Sequence, residues 1–206
     1  MVDKERLTSF MDNTIAVIMT ICLLQFQIPS SGQALDFIQN NLAYMIAYGL
    51  SFIYVSKAWY NQQWLMKQAQ VVNRKIYVSC MQWLFSFSLL PVLATWMGRT
   101  MNLFDNFGLN SQKIPAMLFI CMLYLWGFTY VNMRKAIINE NPSIDVQPDG
   151  QMEAFRILGR PLWEIGTLVW VVGLLTSLSI TFIYPPAALI IIATETRWDV
   201  VKKRNS

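Results

Sequence analysis

The chain has 206 residues, of which 55% are hydrophobic and only 14% charged, with 16 Lys+Arg against 12 Asp+Glu and no histidine. A soluble domain would scatter its charges, whereas Asn13 to Ser31 and Ile76 to Gly98 carry none, so the composition is that of a membrane protein. Without histidine there is no Ser-His-Asp system, no H-E-x-x-H metal site and no imidazole relay, and the chain reads as neither an enzyme nor the holder of a cofactor.

A membrane helix needs ~20 mostly apolar residues. Six such segments follow in order: Thr8 to Ile28, Asn40 to Tyr60, Lys75 to Met97, Ile114 to Met133, Pro161 to Ser179 and Ile180 to Arg197. The expected fold is an all-α integral membrane protein, a single six-span domain over residues 1–206 with a cytoplasmic loop at 134–160. Lys4 and Arg6 precede the first apolar run, but Asp3, Glu5 and Asp12 interrupt the pattern of a signal peptide, so this run is read as a retained helix. The last two segments run together: Leu162 to Thr194 is 33 residues, ~50 Å as a helix, too long for one crossing. Pro185 and Pro186 supply the break. In the 134–160 loop, Asn141-Pro142 and Pro148-Asp149-Gly150 mark turns, and Met152 to Leu158 is expected to form a short amphipathic helix.

Basic residues set the orientation. With the N-terminus inside, fourteen fall on the cytoplasmic side and only Arg99 and Lys113 outside, so both termini are expected in the cytoplasm. The basic excess is thereby accounted for by orientation and anionic lipid, and no nucleic-acid module is legible. Lys57 is expected to snorkel to the cytoplasmic surface. Cys22, Cys80 and Cys121 are dispersed in apolar runs and suit neither a disulfide framework nor a metal site. Asp105 is read as a turn former, and Gly49, Gly127, Gly166 and Gly173 as places for close helix approach.

The first helix carries most of the polar content found inside the spans: Thr8, Ser9, Asp12, Asn13, Thr14, Thr20 and Gln25. Such a helix must face protein or water. On a 3.6-residue period Asn13, Val17, Thr20, Ile21 and Leu24 share one stripe, polar at the cytoplasmic end and apolar further out. Asp12 is expected in an interior ion pair or hydrogen-bond network, with Arg6 roughly along the same side.

Arg6-x-x-x-Phe10-Met11-Asp12, then Ala16-Val17, Thr20 and Leu23-Leu24, resembles the R-x-x-x-F-S-D … A-I-x-x-T-L-L first helix of bacterial relatives of the lysosomal potassium channel, the transmembrane protein 175 family. Trp59-Tyr60-Asn61-Gln62-Gln63 is similar to that family's W-x-N-H-H, and Leu84 to Pro91 to its L-x-x-L-S-L-L-P. Met11 stands in place of the family serine, and Gln62 and Gln63 in place of the paired histidines, which keeps hydrogen bonding but removes protonation near neutral pH. The resemblance implies a homotetramer in a bacterial inner membrane, its four first helices lining a central pore for potassium and other monovalent cations. It implies Val17, Ile21 and Leu24 as the apolar constriction, Thr20 as the selectivity residue, Asn13 as a polar pore position, and Arg6, Phe10 and Asp12 as a structural network. No T-V-G-Y-G filter is present, and no metal is expected beyond permeant potassium. The rival reading is a secondary transporter with Asp12 as its coupling carboxylate.

Overall fold

In hydrocarbon a backbone must satisfy its own amides and carbonyls, and a chain this apolar does so with helices. The computed structural model describes residues 3–21, 34–141, 156–157, 160–161 and 166–195. Its helices are α1 (Lys4–Ile21), α2 (Ala34–Gln68), α3 (Arg74–Ser88), α4 (Leu90–Thr100), α5 (Lys113–Glu140), α6 (Thr167–Ile183) and α7 (Ala187–Glu195). The α3–α4 stretch, Arg74–Thr100, and α5 are each long and apolar enough to cross a membrane. Pro91 has no amide to donate and its ring crowds the carbonyl one turn earlier, which interrupts the ladder at Leu89 and separates α3 from α4.

Helix bounds differ from the expected spans where polar residues still suit a helix. The 35 residues of α2 run past Tyr60, and α5 runs past Met133 to Glu140, because Gln, Met, Lys and Arg propagate a helix whether or not lipid surrounds it. Lys57 is therefore not at a helix end: it lies inside the bundle at 1% exposure and does not snorkel. Helix α6 continues through Ile183, so the break comes at Tyr184–Pro186 rather than after Ser179. Within the segment expected as an amphipathic helix, Arg156–Ile157 instead pairs antiparallel with Arg160–Pro161. Gly159 and Pro161 are poor helix formers, and Met152 to Phe155 and Leu158 lie outside the described residues.

With α3–α4 taken as one interrupted span, side-chain contacts show that successive spans alternate in direction. At one end, Lys4 Nζ donates to the carbonyls of Lys67 (3.2 Å) and Ala69 (2.6 Å), and Lys75 pairs with Glu140 at 3.0 Å. At the opposite end, the turn between α4 and α5 meets the α6–α7 hairpin: the Tyr184 hydroxyl donates to the Phe107 carbonyl at 3.1 Å. The core between them is aromatic. Trp83 stacks on Phe87 at 5.2 Å, Trp126 on Tyr130 at 6.1 Å, and Tyr54 meets Trp126 at 4.7 Å, which joins α2, α3 and α5. Close approach comes at a glycine not singled out above: a Cβ on Gly98 of α4 would lie 2.7 Å from the Cα of Tyr44 in α2, whereas Gly49 and Gly166 face open space.

One side chain ties the α2–α3 connection to the end of α5. Asn141 Oδ1 accepts from the amides of Gln70 (2.9 Å) and Val71 (2.8 Å), while its Nδ2 donates to the carbonyls of Val71 (3.2 Å) and Ile137 (2.9 Å). Asn141→Ala would leave those groups to find new partners and should cost about 2 kcal/mol. Asn141→Asp keeps the acceptor but sets an oxygen against two carbonyls, and should cost at least as much. Thermal unfolding in detergent checks this; a melting temperature unchanged in both variants would refute it.

Candidate functional site

Helix α1 is buried along one stripe only. Leu7, Met11, Ile15 and Ile18, spaced i, i+4, i+8 and i+11, pack into the bundle core, chiefly against α2 and α3. The other side faces away from the rest of the fold, and the residues singled out from the sequence fall there. Val17 is 56% exposed and Ile21 38%, and Asn13 and Thr20 are exposed beside them. Leu24, which completes the stripe, lies outside the described residues.

This outward face differs in chemistry from that of α6. On α6 the outward residues are Leu168, Val171, Val172, Leu175 and Ile183, and the hydroxyls among them bond their own helix, Thr176 to Val172 O and Ser179 to Leu175 O, each at 2.8 Å. Those two hydroxyls are satisfied within the helix, so lipid can cover them. On α1, Thr14 and Thr20 bond back in the same way, to Phe10 O (2.8 Å) and Val17 O (2.9 Å). Asn13 makes no such bond, and among the described residues its amide has no partner. An amide in mid-helix on an outward face requires water or another protein surface.

The expected network of Arg6, Phe10 and Asp12 does not converge within the subunit. Asp12 Oδ1 accepts from Trp59 Nε1 at 2.9 Å and from Gln63 Nε2, both on α2, while Arg6 and Phe10 stand exposed on the outward side. Asp12, midway along α1, is thus held by neutral donors. Lys4, which in the sequence bore only on targeting and orientation, fastens the start of α1: its ammonium caps carbonyls at the C-terminal end of α2, where the helix dipole favours a cation. The signal was a basic residue where an acid would suit the first turn of α1 better.

The family model described as endosomal/lysosomal potassium channel TMEM175 matches residues 6–91, from the first turn of α1 into α4. A protein of Chryseobacterium sp. (strain P1-3) described as a potassium channel is 28% identical over 189 residues, which cover 90% of this chain and 86% of that protein. Over residues 6–91 the chain is similar to the TMEM175 family. No solved structure matches it.

In this chain the two departures from the resemblance meet each other. Gln62 Nε2, fully buried, points at the Met11 sulfur at 3.7 Å, a weak acceptor, and Gln62 Oε1 has no partner among the described residues. Gln63 supplies the stronger contact, to Asp12. Asp12→Ala should therefore loosen α1 from α2 by about 1–2 kcal/mol, since a charge-assisted acceptor is lost from a half-buried position. Asp12→Asn keeps an acceptor oxygen and should lose less. Thermal stability of the purified protein checks the order; equal losses would show that the carboxylate charge, not its hydrogen bonds, holds the helix.

Proposed function

We propose that the chain is one subunit of a homotetrameric potassium-permeable channel of the bacterial inner membrane, with both termini cytoplasmic, in which four copies of α1 surround a central pore. The match of residues 6–91 to the TMEM175 family model and the likeness to a protein described as a potassium channel support a potassium channel. The observation that carries the pore assignment is the outward face of α1, where an unpartnered Asn13 amide continues into Val17, Thr20 and Ile21 on a helix held to its own subunit from the opposite side. A single polar-striped helix cannot enclose water, so the path requires several copies about an axis.

In this arrangement Asn13 meets hydrated ions before the neck. Val17, Ile21 and Leu24, at i, i+4 and i+7, stack as apolar collars ~5–6 Å apart. Collars without ligands make a cation shed part of its hydration, and potassium, more weakly hydrated than sodium, loses less. Thr20 adds the one polar element at that level. Its hydroxyl proton is committed to the Val17 carbonyl, so the oxygen presents its lone pairs outward, where a partly dehydrated cation can use them. Arg6 and Phe10, exposed beside the Asp12 contacts, are then free to meet the neighbouring copy. A transporter reading would need Asp12 open to a midplane cavity, and its bonds to Trp59 and Gln63 of α2 favour a structural role.

Potassium efflux from liposomes containing the purified protein should run down a gradient with neither protons nor sodium required; obligatory coupling to either would favour the transporter. Ile21→Asn should wet the neck, raise single-channel conductance severalfold and lower the preference for potassium over sodium. Thr20→Val should weaken that preference without closing the pore. An assembled Ile21→Asn oligomer with unchanged conductance and selectivity would place the ion path elsewhere.

A further inference from the structure

The turn between α4 and α5 is built the opposite way from a solvent loop. Three successive residues adopt left-handed backbone, Asn106 (φ 44°), Phe107 (φ 53°) and Gly108 (φ 84°). Glycine takes this conformation freely and asparagine tolerates it, but phenylalanine there is strained. The surroundings hold it in place. Gly108 N donates to Asp105 O at 2.8 Å, Leu109 N to Asn106 O at 3.1 Å, and the Tyr184 hydroxyl to Phe107 O at 3.1 Å. A Cβ on Gly108 would lie 2.5 Å from Cγ of Pro186, so the turn is pressed against the α6–α7 hairpin.

This bracing consumes polar groups and turns apolar ones out. Asp105 Oδ2 accepts from Asn110 Nδ2 at 3.0 Å, Asn102 Oδ1 accepts from the Phe104 amide at 3.3 Å, and Ser111 Oγ accepts from the Asn102 amide at 3.1 Å. Phe107 is left 84% exposed, with Phe104, Leu109 and Ile114 exposed around the same turn. Strained backbone that is retained to hold one side chain outward asks for something that receives it.

We propose that the turn over residues 101–112 is a bilayer anchor: Phe107, with Phe104 and Leu109, inserts into the boundary between lipid head groups and acyl chains. The proposal rests on the reading of the chain as membrane-spanning. Its occupant follows from position, because the turn joins the two helices long and apolar enough to cross a membrane, Arg74–Thr100 and Lys113–Glu140, and so lies where both leave the hydrocarbon. Lys113, whose ammonium sits 4.4 Å over the Phe182 ring, puts a cation at the level where lipid phosphates lie. Braced against the hairpin through Tyr184 and Pro186, the inserted turn would fix the depth of α4, α5 and α6 together.

The test is spin labelling in a background of Cys22→Ala, Cys80→Ala and Cys121→Ala, reconstituted in phosphatidylethanolamine–phosphatidylglycerol vesicles. Labels go on Phe107→Cys, on Asn110→Cys as the water-facing reference, and on Phe85→Cys, in mid-span and exposed, as the lipid reference. Collisions with oxygen and with a water-soluble nickel chelate report depth. The label at 107 should be shielded from nickel and read ~5–10 Å below the phosphates, with the label at 110 open to nickel. A label at 107 as open to nickel as that at 110, with 85 in lipid, would overturn the anchor alone. Strong dipolar broadening between labels at 107 would overturn it in favour of contact between copies. Nickel access at 85 would overturn the membrane-spanning reading beneath it.

Discussion

The fastening of α1 to α2 from one side is the constraint on which the account depends. A helix with a polar stripe can be turned about its axis, and each angle offers a different face to lipid, to the subunit or to water. Two polar contacts fix that angle here: Lys4 on the carbonyls that end α2, and Asp12 under Trp59 and Gln63. Both fall in the first half of α1 and both reach the last third of α2. With Leu7, Met11, Ile15 and Ile18 turned inward, Asn13, Val17, Thr20 and Ile21 can only face out. Beyond Asp12 the helix is held by apolar packing alone among the described residues, which makes its second half the more adjustable part.

The remainder of the subunit supplies a stiff support for this one helix. The aromatic stack of Trp83, Phe87, Trp126 and Tyr130 packs ring on ring, where shape leaves little freedom to slide. Gly98 brings α4 onto α2 with no room for a methyl group, and Asn141 binds the α2–α3 connection to α5. The register of α2 is thereby fixed, and the positions of Trp59, Gln63 and the α2 terminus with it.

Much of the site was legible in the sequence because it rests on periodicity. The stripe of Asn13, Val17, Thr20 and Ile21 needs only the helical repeat, and the structure sets those four residues on one outward face. Helix positions were legible for the same reason, through runs of apolar residues. Features set by contacts between helices were not. Nothing in the sequence around Gly98 separates it from Gly49, since the difference lies in what the facing helix brings near. The burial of Lys57 follows from the length of α2, which hydropathy underestimates because a helix can outrun the membrane. Lys4 and Asn141 act on backbone carbonyls and amides more than 60 residues away in sequence, and such targets leave no pattern in side-chain spacing. The Trp59 and Gln63 contacts to Asp12 lay within reach only through the family resemblance, which marked the residues without pairing them.

The central claim is that the outward face of α1 borders water in the conducting path. Cysteine accessibility during current recording tests it most directly, with a charged, membrane-impermeant thiol reagent applied to Asn13→Cys, Val17→Cys and, from the buried stripe, Ile15→Cys. The account predicts rapid modification at 13 and 17 that blocks or sharply reduces potassium current, and no effect at 15. Block at 15 with none at 13 or 17, in channels that otherwise conduct normally, would contradict it.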